Sequence, residues 1–217
     1  MLFQLKIITI TTIIISFLLF QQVNAQTNSK QDSLLTELNK TKIDTLKVRV
    51  LTELAVNIQK TDTAKAINYL KKAIQISEKT DFQFGKAKAL YHFGVMYYYN
   101  VKYLLALDYF FKSKNLLSEI DENSLNIDCL NGIGIVLSKI GSYRQSKEYY
   151  QEAFNLASIY NKKQQQATSL NGIGLSFHNI ADYSQARLYY QKALKYYIEI
   201  NDKENISNCL NTDFRES

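Results

Sequence analysis

The chain has 217 residues and a formal net charge of +6, with 46% hydrophobic and 21% charged residues. Nucleic-acid-binding proteins usually gather their basic residues into a patch or stripe. Here the lysines are dispersed among Glu, Asp, Gln and Asn, which is typical of a solvated protein surface and argues against nucleic acid as a partner.

The first 25 residues have the pattern of a secretory signal peptide. Lys6 precedes an apolar run at residues 7–20, and the sequence VNA ends the segment at residue 25. That run is short for a membrane helix, which requires about 20 apolar residues. We expect cleavage before Gln26 and a periplasmic or secreted location in a bacterium. The alternative is an uncleaved membrane anchor, and no other contact with a membrane is expected.

The remainder of the chain repeats itself with a period of forty residues. The segment CLNGIG at 129–134 returns as SLNGIG at 169–174, and the aromatic-rich segment at 141–157 returns at 181–197. A fixed period of about 20–50 residues indicates stacked repeats, in which each unit buries its apolar face against its neighbours. Such arrays usually provide extended binding surfaces, so enzymatic activity is not expected.

Each repeat is predicted to contain two amphipathic helices. Leu130, Ile133, Leu137 and Ile140 recur at spacings of three and four, which is the periodicity of a helix with one apolar face. The predicted helices cover about 31–40, 43–60, 62–79, 82–99, 102–120, 122–140, 142–160, 162–180 and 182–200, and a partial helix begins at about 202.

These elements divide the chain into four segments. The predicted segments are a signal peptide at 1–25, a lead-in with a short helix at 26–42, a solenoid at 43–201 with repeats at about 43–81, 82–121, 122–161 and 162–201, and an incomplete fifth repeat at 202–217.

Polar residues precede the predicted helices at regular intervals. Their side chains can accept hydrogen bonds from the free N–H groups of a first helical turn, so we expect them to act as N-caps. The expected caps are Asp81, Asp121, Asn161 and Asn201 for the first helices, and Asp62, Ser142 and Asp182 for the second helices.

Small residues recur where neighbouring helices are expected to cross. Gly94, Gly134 and Gly174 each lie four residues after the leading leucine of a repeat. Helix axes approach to roughly 8–10 Å where the side chains at the crossing are short. Gly132 and Gly134 are therefore interpreted as packing glycines inside a helix, not as a phosphate-binding loop.

The recurring positions resemble the tetratricopeptide repeat family. In the third repeat the positions of the family pattern are occupied by Leu130, Ile133, Gly134, Leu137, Ser146, Tyr150 and Ala153. The resemblance covers about residues 43–211. It implies an all-α fold, a right-handed α-solenoid of antiparallel helix pairs with about four repeats.

The period of this chain departs from the usual family period of about 34 residues, in which a proline closes the second helix. This chain has no proline, and its period is forty. We therefore expect the second helix to extend by about a turn. The longer period resembles the repeats of bacterial sensory and regulatory proteins.

The resemblance also implies a binding surface, because the first helices of tetratricopeptide repeats line a concave face. The residues one, five, eight and nine positions after the leading leucine usually project there. The predicted peptide-binding residues are Tyr91, Tyr98, Asn131, Ser138, Lys139, Asn171, His178 and Asn179. Since Asn offers donors and an acceptor, a ladder of asparagines suits the backbone of an extended peptide. The alternative is that these asparagines cap or cross-link neighbouring helices.

The sequence carries no motif for catalysis, for a cofactor or for a metal ion. His92 and His178 occupy different positions in different repeats and have no acidic cluster nearby. Cys129 and Cys209 lie eighty residues apart at the same repeat position. With helix layers about 10 Å apart, their Cα atoms should be about 20 Å apart, and a disulfide requires less than about 7 Å. We expect no intramolecular disulfide, although Cys209 could pair between chains.

The fifth repeat departs from the pattern, because Asp213 and Phe214 stand where an apolar and a small residue are expected. The signal sequence, a DSLL segment at 32–35 and the forty-residue repeats together resemble the N-terminal sensory half of bacterial histidine kinases and regulators. Two functions follow. The first is a non-catalytic, exported module that binds a peptide or protein segment. The alternative is a truncated sensory region of a two-component signalling protein that lacks its effector domain.

Overall fold

A computed structural model describes residues 29–120 and 122–214, with the side chains of 210–214 left aside. The predicted signal peptide at 1–25 lies outside the described residues. Every regular element in the described ranges is an α-helix. The helices are α1 (29–40), α2 (Asp44–Ile58), α3 (Thr63–Lys79), α4 (Gln83–Tyr99), α5 (Tyr103–Glu119), α6 (Asn123–Lys139), α7 (Tyr143–Ile159), α8 (Lys163–Asn179), α9 (Tyr183–Glu199) and α10 (Lys203–Phe214).

The chain divides into two compact units, Met1–Ile76 and Ser77–Ser217. In the first unit, Arg49 of α2 forms ion pairs with Glu37 of α1 and with Glu53 one turn further along α2. The first predicted repeat begins in this unit, and apolar residues spaced three or four apart on its two helices are buried, namely Leu51, Ala55, Ala66, Leu70 and Ala73. The spacing of apolar residues therefore identified the buried face correctly in this unit too.

The second unit is a stack of helix pairs. From α4 to α10, each helix packs against the next one in sequence, and α6 also packs against α4 and α8. The six helices from α4 to α9 each have 17 residues. The second helix of a pair is therefore as long as the first.

A recurring turn ends the helices of the second unit. The middle residue of each described three-residue turn has a positive φ, between 51° and 82°. The N–H of the following residue donates to the carbonyl five residues earlier at 2.8–3.0 Å, which is the hydrogen bond of a Schellman motif. The middle residues are Asp81, Val101, Gly141, Asn161, Ala181 and Asn201.

The geometry of this turn shows that caps predicted for the first helices are wrong. Asp81, Asn161 and Asn201 end the preceding helix in the left-handed region and do not begin the next one. Asp and Asn suit both positions, because their short side chains tolerate a positive φ and also accept hydrogen bonds from a helix N-terminus. The fourth member, Asp121, lies outside the described residues.

The second set of caps is partly confirmed. Asp62 accepts a hydrogen bond from the Lys65 N–H at 2.9 Å, and Asp182 accepts one from the Gln185 N–H at 3.2 Å. Ser142 precedes α7 without a capping bond from its side chain, so that prediction is wrong. Asp202, which was not predicted, caps α10 by accepting from the Asn205 N–H at 3.1 Å.

Replacing Val101 by glycine is expected to raise the free energy of unfolding by about 1 kcal/mol. Val101 has a φ of 59°, a conformation that is costly for a β-branched residue, and its side chain is 66% exposed. Glycine removes the strain with little loss of packing. Denaturant unfolding followed by circular dichroism measures the change. Val101→Ala is the control, since it shortens the side chain but keeps the Cβ, and an equal gain there would contradict the argument from backbone strain.

Aromatic rings fill the spaces between the helices of the second unit. A Cβ added to Gly94 would lie 2.6 Å from the Phe110 ring, and one added to Gly132 would lie 2.9 Å from it. Tyr150 occupies the equivalent position in the next repeat. A Cβ on Gly134 would approach the Tyr150 ring to 3.0 Å, and one on Gly172 would overlap it. Each ring therefore packs against two successive first helices. The interpretation of these residues as packing glycines is confirmed.

No helix among the described residues combines the length and the apolar character needed to cross a lipid bilayer.

Candidate functional site

A groove of about 460 Å³ lies in the second unit, along the first helices of three successive pairs. Helices α4, α6 and α8 contribute most of its walls, and α5 contributes one ring. The lining residues are Tyr91, Val95, Tyr98, Tyr99, Phe110, Asp128, Asn131, Gly132, Ile135, Gln164, Gln165 and Thr168. One wall is aromatic and the opposite wall is mainly polar.

The aromatic wall comes from one face of α4. Tyr91, Val95 and Tyr98 are spaced by four and three residues, so their side chains share a face of the helix. The Tyr91 ring lies 5.6 Å from that of Phe110, and the Tyr98 ring lies 6.0 Å from that of Tyr103. Burial raises the pKa of both Tyr91 and Tyr98, so the two phenols stay neutral at physiological pH.

The polar wall is formed by α6 and α8. The Gln165 side-chain amide donates to Ser124 Oγ at 3.3 Å and lies 3.4 Å from Asp128 Oδ1, so it links the two helices. Burial raises the pKa of Asp128, and the hydrogen bond from Gln165 opposes that rise in part. Asp128 was not among the residues predicted from the sequence. It lies one turn before Asn131 on the same helical face, and that spacing is the signal that could have identified it.

The predicted asparagines link successive first helices. Asn131 Oδ1 accepts a hydrogen bond from Ser169 Oγ at 2.9 Å, and Asn131 is only 5% exposed. Asn171 Oδ1 stands in the same relation to Cys209 Sγ, at 3.7 Å. Both pairs are separated by 38 residues, so one linkage recurs in consecutive repeats. The contacts of these two side-chain oxygens therefore agree with the alternative that the asparagines cross-link neighbouring helices. Asn131 also lines the groove.

The structure brings three of the eight predicted binding residues to the groove, namely Tyr91, Tyr98 and Asn131. Among the others, Asn179 donates to Ser138 Oγ at 3.3 Å, and the His178 ring lies 5.5 Å from that of Tyr183. Lys139 is exposed at the end of α6. Ser138, Lys139, Asn171, His178 and Asn179 do not line this groove. Peptide binding by any of the eight stays a prediction.

The two cysteines are free thiols in separate clusters. Cys129 packs with Leu117 and Leu125, while Cys209 packs with Leu170 and Tyr197. Burial raises the pKa of Cys129 to about 12 and that of Cys209 to about 11. Since the thiolate is the reactive form, both side chains are expected to be poorly reactive at neutral pH.

The described residues contain no cluster of three or more His, Cys, Asp or Glu side chains that could hold a metal ion. His92 lies beside Tyr91, with the two ring centroids 5.2 Å apart. Burial, with a contribution from the charge of Lys88, lowers the pKa of His92 to about 4. Its imidazole is therefore neutral at physiological pH and acts as part of the packing.

Comparison with known families identifies the repeated segments. The sequence profile of one tetratricopeptide repeat family matches residues 125–199, and a second tetratricopeptide repeat profile matches residues 56–80. These segments are tetratricopeptide repeats. No curated protein sequence gives a significant match to the chain as a whole.

Several solved structures share the fold, and one of them has a tetratricopeptide repeat sensor. A signal transduction ATPase with numerous domains, which has a tetratricopeptide repeat sensor and comes from Pyrococcus horikoshii, is 23% identical, with a TM-score of 0.71 over 81% of this chain. Aspartyl phosphate phosphatase F from Bacillus subtilis is 16% identical, with a TM-score of 0.73 over 79% of this chain. The chain spans 28% and 45% of those two proteins, respectively.

A third similar structure is a Rap protein complexed with Competence and Sporulation Factor. It is 15% identical, with a TM-score of 0.74 over 86% of this chain and 55% of its own length. At these identities the likeness establishes the fold, which is a tetratricopeptide-type solenoid. In the terms of that fold, the groove lies on the first helices of three successive repeats, and the tetratricopeptide fold is that of a protein-interaction module.

Proposed function

We propose that the chain is a non-catalytic, exported module that binds an extended peptide segment in the groove of α4, α6 and α8. The observation that carries this proposal is the groove itself, whose volume of about 460 Å³ lies between an aromatic wall and a wall of amide and hydroxyl groups. Apolar surface with a few convergent polar groups is the usual composition of a binding pocket.

The two walls suit different parts of a peptide. The Tyr91 and Tyr98 rings offer flat apolar surface for side chains. The amide groups of Gln164 and Gln165 offer donors and acceptors to a peptide backbone. The structure of the Rap protein with Competence and Sporulation Factor supports the proposal by showing a partner bound to a protein of the same fold.

Replacing Tyr98 by alanine is expected to weaken peptide binding by about tenfold or more, because the groove loses a large part of its aromatic wall. The measurement uses phage-displayed random 12-residue peptides selected on the full chain, followed by fluorescence anisotropy with the synthesised winners.

Tyr183→Ala is the matched control for this substitution. Tyr183 is 52% exposed at the start of α9 and does not line the groove. Its loss should leave affinity within about twofold. Equal weakening by both substitutions, or selection of no peptide at all, would remove the groove as the binding site.

Export is the second part of the proposal, and it is supported by the signal-peptide pattern of residues 1–25. Expression of the full chain in a bacterium, followed by fractionation and N-terminal sequencing, provides the test. A periplasmic or secreted protein that begins at Gln26 is the expected result. Recovery of the whole chain, still beginning at Met1, in the cytoplasmic fraction would contradict it.

A second candidate function is the sensory region of a larger signalling protein. It is favoured by the likeness to a protein that is described as having a tetratricopeptide repeat sensor, of which this chain spans 28%. The DNA that follows the coding sequence tests this candidate. Further repeats, a membrane helix and an effector domain in any reading frame would support it, and unrelated sequence would count against it.

A further inference from the structure

Asp128 is the one charged residue among those that line the groove. Seven ion pairs join described residues, and none of them includes Asp128. Its Oδ1 atom lies 3.4 Å from the Gln165 amide nitrogen, a long and neutral contact. A carboxylate is therefore held in a concave site without a cation from the protein itself.

Such a carboxylate is unfavourable for the isolated protein. Removing a charge from water without pairing it costs free energy, and the cost falls when an opposite charge arrives. Burial raises the pKa of Asp128, which is the expected sign for a carboxylate that lacks a partner. The site is thus better suited to a complex with a cation than to the empty state.

The surroundings of Asp128 define the shape of that cation. Tyr91 is close enough for the charge of Asp128 to add to the rise of its pKa, and the Tyr98 ring lies on the same face of α4. Tyrosine rings attract cations over their faces. A single carboxylate provides too few oxygen ligands for a dedicated divalent metal site, so an organic cation fits this geometry better.

We propose that the groove selects peptides that carry an arginine, whose guanidinium pairs with Asp128 and packs against the tyrosines of α4. The inference rests on the proposed function of the groove and names the chemistry of its ligand. A guanidinium is planar, is less strongly hydrated than an ammonium group, stacks on aromatic rings and pairs with a carboxylate through two parallel N–H groups.

The rest of the peptide is expected to be neutral or acidic. The chain carries a net charge of +6, so a strongly basic peptide would be repelled at long range. At physiological ionic strength that repulsion is screened beyond about 8 Å, whereas the partly buried contact with Asp128 is screened much less. One arginine in an otherwise uncharged segment therefore gains the local attraction with little repulsion.

The test selects random 12-residue phage-displayed peptides in parallel on the full chain and on its Asp128→Asn variant. The strongest wild-type peptide is then synthesised with arginine and with citrulline, which has nearly the same shape and no charge. We expect arginine enrichment on the wild type alone. Citrulline should weaken binding to the wild type by about 10–100-fold and binding to Asp128→Asn by less than about twofold.

The melting temperature of Asp128→Asn separates this role from a purely structural one. Asparagine keeps the shape of the side chain and the acceptor for Gln165 but removes the unpaired charge. The variant is therefore expected to melt about 2–4 °C higher without peptide. A variant that melts lower than the wild type would indicate a structural role for the carboxylate and would overturn the inference.

The other outcomes are distinguishable. If selected peptides lose binding with Tyr98→Ala but show no preference for arginine, the groove binds peptides and the arginine inference is wrong. If no peptide is selected, the proposed function fails and the inference fails with it. If Asp128→Asn does not fold, the carboxylate has a structural role and the inference is overturned, as it would be by a lower melting temperature.

Discussion

Replacement of Tyr150 by alanine is expected to lower the free energy of unfolding by about 3–5 kcal/mol. Tyr150 is 2% exposed, and its ring packs against Gly134 of α6 and Gly172 of α8. Because the two glycines have no side chains with which to fill the space, the substitution leaves a cavity that touches two successive first helices. Denaturant unfolding followed by circular dichroism measures the loss.

The control for Tyr150→Ala is Tyr160→Ala, at the C-terminal end of the same helix. Tyr160 is 41% exposed and does not fill an interhelical space next to glycine. Its removal is expected to cost about 1 kcal/mol or less. Similar losses for the two substitutions would show that packing of the Tyr150 ring against the two glycines is not a major source of stability.

The opposite change, Gly172→Val, is expected to lower the free energy of unfolding by about 3 kcal/mol through overpacking. A Cβ at this position overlaps Cε1 and Cζ of Tyr150, and a buried ring cannot swing aside as an exposed chain would. The gain in helix propensity on leaving glycine, below about 1 kcal/mol, offsets only part of that cost.

A second substitution shows whether the clash is the cause. Combining Gly172→Val with Tyr150→Leu replaces the ring by the smaller residue that stands at the equivalent position of the first repeat, Leu70. The double variant should be more stable than the sum of the two single losses predicts, since each change creates the space or volume that the other lacks. Strictly additive losses would argue against direct contact as the source of the effect.

The sequence was a good guide to the helices and the packing positions, because both depend on spacing. Apolar residues three and four apart define one face of a helix wherever they occur, and the forty-residue echo repeated that signal in each unit. The glycines of the GIG segments were recognised for the same reason, since a phosphate loop needs a turn and the apolar pattern continues through Gly132 and Gly134.

Residue types that suit two different positions at a helix end gave wrong predictions. Asn161 was assigned to the start of a helix and instead ends one, because a polar residue at a helix junction serves either purpose. The choice depends on φ, which spacing does not reveal. Val101 and Ala181 occupy the equivalent place without the usual Gly or Asn, so the common turn was not visible in the sequence.

The groove was only partly predictable, because the family positions identify only the residues that recur from repeat to repeat. Tyr91 and Tyr98 followed from the family positions and line the groove. Asp128 has Lys88 and Thr168 at the equivalent positions of the neighbouring repeats, so the forty-residue repeat does not mark it. The residue that distinguishes this groove chemically is the one that breaks the repeat.

The helices of the second unit recur at half the length of the sequence repeat. From α4 to α9, helices of 17 residues begin every twenty residues, so twenty residues reverse the chain direction once. Insertion or loss of forty residues keeps every later helix on its original side. Insertion or loss of twenty residues would exchange the groove helices with the outer ones. Such an array can therefore change its length only by whole helix pairs.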